Sequence, residues 1–426
     1  MRFNAKIIKF LHDLFLRSIS ILCTLATVIV VARIISPEDV GIYLRLGILH
    51  SFLQTILDVA LMPMLIKSSI RGYLNSIVIN QMMKRIFLIF IPLVTIFSGY
   101  WLFFGGSKYI YLIMILIICA LSYFSTLWCS FLSINNHVST WSKILIKSEL
   151  ASLVCIYFLS FVIEDGIILF SLRFILFYSV TIFFSFRVNK TELQYSSIMF
   201  KGKEESQGGD DLFVFAGANY LTRYVDSILV SFNYSAETLG LYNRAMQISR
   251  YPQIALVSSL SQILLPTLKA NSVSADGMKS WINYFHVYFL IGNIVSVILM
   301  YFADAYVLLI LGESWKSAAN FIIYFLSTVT MQLYLGTTNS LFVHFNSLRA
   351  YRNLGVISGA MSLCLVLAAV WFGDIMYVAY AFVASTTLSF IASLTFFAYS
   401  ILGIGSIGTL LLLFNAMGPV FLVISQ

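Results

Sequence analysis

Ser36-Pro37-Glu38-Asp39-Val40-Gly41-Ile42-Tyr43-Leu44-Arg45 and Ser235-Ala236-Glu237-Thr238-Leu239-Gly240-Leu241-Tyr242-Asn243-Arg244 are two versions of one decapeptide. Five of the ten positions are identical and two more exchange aliphatics, at an offset of 199, and Gln54 and Gln253 continue the register. Ser-x-Glu ahead of an apolar run predicts a helix start, with the serine as cap and the acids favoured by the N-terminal dipole. The glycine lets helices approach closely, and the Tyr and Arg are expected to anchor at a membrane interface. Glu38 and Asp39 also fit an acidic catalytic pair of a membrane glycosyltransferase. The second copy has Glu237-Thr238, so the pair itself is not repeated.

Working outward, six apolar runs separate the copies. Of 426 residues, 60% are hydrophobic, 16% aromatic and only 10% charged. A soluble domain carries about 25% charged residues, and single soluble cores stop growing near ~250–300 residues. Sixty per cent of 426 is about 256 residues, enough for about a dozen spans of ~20 residues each. A soluble enzyme, a disordered tail and a secreted disulfide module are excluded. Apolar runs fall at about 10–35, 40–66, 84–104, 109–134, 144–163, 166–186, 212–233, 240–268, 283–302, 318–343, 354–373, 376–402 and 407–424. The last is short and contains Gly418 and Pro419, so it is a thirteenth helix or a reentrant tail.

The expected fold is all-α: a polytopic membrane protein of about 12–13 transmembrane helices in two repeated six-helix bundles. The N-terminal bundle covers 1–186, a cytoplasmic linker 187–211, the C-terminal bundle 212–402, and a partial extra helix or tail 403–426. The linker reading rests on Lys201-Gly202-Lys203-Glu204-Glu205-Ser206-Gln207-Gly208-Gly209-Asp210-Asp211. No small-residue cleavage site follows the first apolar run, which reads as a span rather than a removed signal.

Basic residues orient the spans. Arg2, Lys6, Lys9, Lys67, Arg71, Lys84, Arg85, Lys143, Lys147, Arg187, Lys190, Lys201, Lys203, Lys269, Lys279, Arg349 and Arg352 fall in loops on the N-terminal side, whereas the opposite loops hold Lys108 and Lys316, with Arg33 and Arg45 near one rim. That asymmetry places the N-terminus in the cytoplasm. It also accounts for the net charge of +8 without nucleic acid. Cys23, Cys119, Cys129, Cys155 and Cys364 all lie in apolar stretches with no Cys-x-x-Cys pair, so neither a metal site nor a disulfide framework is expected, and no cofactor.

Charges and amides inside spans are costly and usually face a cavity. In the second run Tyr43, Gly47, His50, Gln54 and Asp58 follow helical steps on one face, while Arg45 falls off it. The eighth run repeats the stripe as Tyr242, Ser249, Arg250 and Gln253. In the seventh, Asn219, Arg223 and Asp226 share a face. The matching first-run positions are Ser20, Thr24 and Thr27, with Arg17 one turn earlier. Arginine binds phosphate bidentately and keeps its charge. Arg250, Arg223 and Arg17, with Gln54, Gln253 and Asn219, are therefore the expected contacts to an anionic substrate. Asp58, Asp226 and His50 are the expected ion-coupling groups, since intramembrane carboxylates and imidazoles can titrate as access alternates. The bland alternative for Arg223 and Asp226 is mutual neutralisation at i, i+3. Arg173 in the sixth run is a weaker substrate candidate. Thr337, Thr338, Asn339 and Ser340 suit sugar hydroxyls or neighbouring helices.

Ala32-Arg33-Ile34-Ile35-Ser36-Pro37-Glu38-Asp39-Val40-Gly41-Ile42-Tyr43 resembles the early signature of bacterial polysaccharide transporters. Asp226 through Leu239-Gly240-Leu241-Tyr242-Asn243-Arg244-Ala245, with Pro252 and Leu265-Pro266, resembles the second-half signature. The likeness is to Wzx-type O-antigen/polysaccharide flippases, in the lipopolysaccharide and colanic-acid exporter branch of the multidrug/oligosaccharidyl-lipid/polysaccharide superfamily. It covers roughly 30–70 and 215–270. It implies a two-bundle flippase of the inner (plasma) membrane, not an enzyme, that moves undecaprenyl-pyrophosphate-linked oligosaccharide, an O-antigen or exopolysaccharide unit, by alternating access. Membrane lipid, a polysaccharide polymerase and a chain-length regulator are the expected partners. Members often carry up to fourteen spans, more than this chain shows. The rival readings are a small-molecule or drug exporter of the same fold, and a membrane polymerase or glycosyltransferase. Drug exporters take mostly cations, which the intramembrane arginines disfavour, and a polymerase would need a sizeable outer loop.

Overall fold

The computed structural model describes residues 2–57, 109–134, 138–193, 209–270, 275–344 and 348–397. The runs expected at 84–104 and 407–424, and the tail 403–426, lie outside the described residues. The parts of the runs 40–66 and 376–402 beyond residues 57 and 397 lie outside them too; within the described residues every other apolar run is a helix or a bent pair of helices, and there is no strand. In chain order the helices are α1 (Arg2–Ile34), α2 (Pro37–Ile56), α3 (Tyr109–Ile134), α4 (Val138–Leu159) and α5 (Gly166–Leu193), then α6 (Gly209–Asn233), α7 (Ala236–Ala270) and α8 (Ala275–Tyr301). The short α9 (Ala303–Leu311) and a 3-10 turn (Glu313–Ala318) lead into α10 (Ala319–Ser327), α11 (Val329–His344), α12 (Leu348–Trp371) and α13 (Ile375–Phe397). The chain divides into two compact units, Met1–Gly217 and Ala218–Gln426.

This is a multi-pass membrane protein. Among the described residues, segments of α3, α5, α12 and α13 are each long and apolar enough to cross a bilayer, and three bent pairs pass the same test. The first bent pair, α1 and α2, turns by 120°. Such a turn sends the chain back the way it came, so these are two arms of a hairpin. Helices α4, α6 and α7 are as long but carry charges within their apolar stretches. The outer surface is apolar. Leu290, Ile294 and Ile298, four residues apart on α8, are all more than half exposed, as lipid-facing side chains should be. Tyr301 and Phe302 at the end of α8, and Trp371 and Phe372 at the end of α12, are also exposed, where amphipathic rings favour the headgroup level.

Two boundaries differ from the sequence expectation. Helix α5 continues through Leu193, seven residues into the expected linker, because residues 187–193 contain neither Gly nor Pro to stop it. The run 318–343 is not one helix: α10 and α11 meet at a 50° bend around Thr328. No Pro or Gly sits there. Instead Ser327 Oγ donates to Tyr324 O at 2.6 Å and Thr328 Oγ1 to Phe325 O at 2.8 Å. Hydroxyls that take carbonyls from the helical ladder bend helices.

In the first unit α5 packs on α3 and α4, α1 on α4, and α2 on α3 and α5. In the second, α7 packs on α8, α10 and α11, and α13 on α10, α11 and α12. Fully buried aromatics fill that second core: Trp315, Tyr242, Tyr334, Phe289, Phe325 and Phe390. Helix α12 approaches α6 closely, since a Cβ at Gly359 would stand 2.9 Å from Ala218 O. Gly312, at φ +95°, makes the turn between α9 and the 3-10 segment.

Candidate functional site

The repeated decapeptide is a helix cap in both copies. Ser36 Oγ accepts from Asp39 N at 3.1 Å, and Ser235 Oγ accepts from Thr238 N at 3.1 Å. Asp39 also bonds Ser36 Oγ at 2.9 Å, and its carboxylate lies where a Cβ on Gly166 would be, 2.5 Å away. Asp39 is thus spent on the cap and on close packing, which weakens the catalytic-pair reading. The motif tyrosines are not rim anchors: Tyr43 is 3% exposed and Tyr242 is fully buried. Arg244 is buried as well, its guanidinium 5.5 Å over the Trp315 ring and its Nη1 donating to Gln247 Oε1 at 2.7 Å. A guanidinium on an aromatic face loses less by burial than a bare charge.

The second unit gathers most of the expected residues along the α6–α7 hairpin. Asp226 is 2% exposed. Tyr242 donates its hydroxyl to Asp226 Oδ2 at 2.8 Å, and the Ser227 amide donates to Oδ1 at 2.7 Å. Ser227 Oγ donates to Asn243 Oδ1 at 3.0 Å. One turn away, Arg250 Nη2 reaches Arg223 O at 3.4 Å. The i, i+3 neutralisation of Asp226 by Arg223 is not the arrangement found: the carboxylate is buried on Tyr242, and Arg223 is exposed. A charge placed in the bilayer costs about 2.5–3.5 kcal/mol. Hydrogen bonds to charged groups return about 1.5–3 kcal/mol each, which is how Asp226 is accommodated. Gln253 Nε2 lies 3.4 Å from Gln332 O, and Gln332 Nε2 donates to Thr328 Oγ1 at 2.8 Å, at the α10–α11 bend. Asn219 is half-buried, one turn before Arg223. Thr337 Oγ1 bonds its own helix at Leu333 O and Tyr334 O.

The stripe on α2 runs through the packed interior of the first unit. Tyr43 meets Phe170 edge-on at 4.5 Å and stacks on Phe174 at 5.5 Å. His50 Nε2 is 3.1 Å from the Tyr178 hydroxyl. Gln54 Nε2 donates to Thr126 Oγ1 at 3.3 Å. Asp58 lies outside the described residues. Arg17 is on α1, with its side chain outside those described.

One constellation escaped the sequence reading. Glu149 of α4 and Arg173 of α5 form a buried ion pair at 3.2 Å. The available signal was an acid inside the run 144–163, which by default marks a functional candidate in a membrane. Arg173 is thereby a paired residue, not a rim residue. Among the described residues no three His, Cys, Asp or Glu side chains converge to hold a metal ion. All five cysteines are free thiols.

A family model described as "Polysaccharide biosynthesis protein" matches residues 30–320, including both copies of the motif and the α6–α7 cluster. The chain belongs to this family. No curated protein sequence matches it. Solved structures share the fold of this family member at low identity. The lipid II flippase MurJ, in an inward closed conformation, aligns with a TM-score of 0.69 at 14% identity, over 98% of this chain and 92% of its own. An inward-facing multidrug resistance MATE family transporter of the MOP superfamily aligns at 0.61 and 13% identity, over 92% and 99%. A mutant of the Vibrio cholerae MATE transporter VcmN aligns at 0.57 and 14%, over 94% and 98%. The polysaccharide family member therefore has a transporter fold.

Proposed function

We propose that this chain is a flippase that carries undecaprenyl-pyrophosphate-linked oligosaccharide repeat units, of O-antigen or exopolysaccharide type, across the inner membrane by alternating access. It does no covalent chemistry, and its N-terminus is cytoplasmic. The two halves, 1–186 and 212–402 with 187–211 between them, act as the two moving bundles, following the parallel-repeat logic of transporters. The observation that carries the reading is the α6–α7 hairpin of a polysaccharide-family chain. There Arg223 and Arg250 lie side by side, while the nearby carboxylate of Asp226 is committed to Tyr242 and Ser227. An exposed guanidinium beside a half-buried one suits a diphosphate, which each can grip bidentately. Arg17, Asn219, Gln54 and Gln253 complete the substrate contacts, and Asp226, Asp58 and His50 serve ion coupling. A polymerase and a chain-length regulator act downstream of the transported unit.

The likeness in fold to MATE transporters favours a second reading, small-molecule export. Cationic cargo would favour acidic contacts, and the exposed Arg223 argues the other way. Deleting the gene and extracting lipid-linked oligosaccharides tests both. Pyrophosphate-linked repeat units accumulating on the cytoplasmic face, with surface polymer missing, are the expected result. Single units still reaching the surface would point to a polymerase. Normal surface polysaccharide, in a host with no second flippase, would leave export of small molecules.

A further inference from the structure

The first unit holds a charged cluster that the transport reading above does not use. Arg173 Nη2 of α5 donates to Glu149 Oε2 of α4 at 3.2 Å, and the two side chains are 8% and 7% exposed. Thr24 Oγ1 of α1 shares its one proton between the other carboxylate oxygen and Ser20 O of its own helix, 3.1 Å from each. The Arg173 guanidinium also lies 4.8 Å over the Phe174 ring, the ring on which Tyr43 of α2 stacks. One buried pair thus ties both arms of the α1–α2 hairpin to α4 and α5.

Stability is a poor reason for such a pair. Apolar side chains of similar volume in place of a buried ion pair are often neutral or stabilising. Here α4 and α5 already have a second buried link, Thr181 Oγ1 to Ser148 Oγ at 2.9 Å. The cluster is also incompletely satisfied: Arg173 Nε and the Tyr43 hydroxyl are buried without hydrogen-bond partners among the described residues. A half-satisfied polar network in a low dielectric is a costly arrangement that a small rearrangement can improve. We propose that Glu149 and Arg173 are positioning residues for transport, which hold α1 against α4 and α5 through Thr24 and release it when water reaches the pair. The proposal rests on the flippase reading for its use, and on the first unit alone for its geometry.

Cys23, beside Thr24 and half-buried, supplies the probe. In the full chain with Cys119, Cys129, Cys155 and Cys364 replaced by Ala, alkylation of Cys23 by a membrane-permeant maleimide reports how firmly α1 is held. Two variants are compared in native membranes: Thr24→Val, which keeps the ion pair, and Glu149→Leu combined with Arg173→Met, which replaces it by apolar bulk. Both should label about tenfold faster, as expected when a charge-assisted hydrogen bond no longer limits local opening. Both should lose most transport of lipid-linked oligosaccharide; the double variant should keep the wild-type thermal midpoint, and Thr24→Val should lower it by no more than the loss of one hydrogen bond to a charged group. Unchanged labelling of Thr24→Val overturns the proposal, and so does full transport in either variant. Should the double variant fail to insert, Thr24→Val alone decides, since it deletes a single hydroxyl. A wild-type chain that moves no lipid-linked oligosaccharide would sink the flippase reading instead. Cys23 labelling needs no substrate and would still decide the hold on α1.

Discussion

The α1–α2 and α6–α7 hairpins begin alike and diverge in what they carry. Helix α1 ends at Ile34 and α6 at Asn233; α2 starts at Pro37 and α7 at Ala236. Both pairs stand 199 apart, and a serine caps both second arms with the same hydrogen bond. Past the cap the chemistry differs. The counterpart of Asp226 is Thr27, whose hydroxyl goes back to Cys23 O, and the counterpart of Arg250 is Ser51, whose hydroxyl goes to Ile48 O. Thr24 stands where the second hairpin has Arg223, and it borrows its charge from Glu149. The backbone turn leaves four amides needing partners in each copy, so its serine persists. The side chains beyond face different neighbours and are free to change.

The comparison breaks most visibly at Arg250. Arg250→Ala should lower transport about a hundredfold, the consequence of removing one guanidinium from a desolvated grip on a charged ligand. Ser51→Ala, its counterpart, should transport as wild type. Complementation of a deletion strain, with membrane levels of each variant checked by immunoblot, measures the contrast. Arg250→Ala at wild-type activity would remove that residue from the site and leave the second hairpin with no stronger claim than the first.

Next in size is Tyr242. Its hydroxyl is the direct partner of a buried carboxylate, so Tyr242→Phe should cost about 1.5–3 kcal/mol, the worth of a hydrogen bond to a charged group. A lower thermal midpoint for the purified protein in detergent is the readout. Asp226→Asn should cost less, because the amide oxygen still accepts from the Ser227 N–H while the amide NH2 donates to the Tyr242 hydroxyl, which turns from donor to acceptor. If Asp226→Asn is the worse of the two, the carboxylate is held by something other than these two donors.

These contrasts also mark how far the sequence could be read. The caps at Ser36 and Ser235 were legible because a helix start is local: a serine, acids in the first turn and an apolar run suffice. Helical spacing likewise found the stripe Tyr43, His50, Gln54. Its direction was not legible, because periodicity identifies a face without saying what lies opposite; Phe170, Phe174, Tyr178 and Thr126 come from 72 or more residues away. For Asp226 the i, i+3 rule offered Arg223, and tertiary burial chose Tyr242 instead. The pair Glu149–Arg173 depends on α4 packing against α5, which no local pattern encodes. Thr328 shows the same limit inside one run: the bend comes from hydroxyls taking carbonyls, with no Pro or Gly to announce it.

A smaller effect tests the part that the hairpins share. Ser36→Ala and Ser235→Ala should each cost about 1 kcal/mol, the usual loss of a serine cap. The two costs should agree closely, since both serines receive the same amide bond at 3.1 Å. Thermal midpoints of the two single variants provide the measurement. A much larger cost at Ser36 would show that its second bond, to Asp39 Oδ2, and the packing of Asp39 on Gly166 matter more than the cap.

The smallest effect is the most pointed. Tyr43 and Tyr242 are the same residue at the same place in the repeat, equally buried and equally set among phenylalanines: Phe170 and Phe174 in one case, Phe321 and Phe325 in the other. Only the hydroxyls differ. That of Tyr242 has a carboxylate; that of Tyr43 is buried without a hydrogen-bond partner among the described residues. An unpaired buried hydroxyl costs about 1–3 kcal/mol, and deleting it leaves no acceptor stranded. Tyr43→Phe should therefore leave stability unchanged or raise it by up to about 1 kcal/mol, whereas the identical change at Tyr242 destabilises. Opposite signs for one substitution at two equivalent positions would locate the divergence of the halves in a single acceptor, Asp226. A clear loss at Tyr43 would mean that its hydroxyl has a bridging partner.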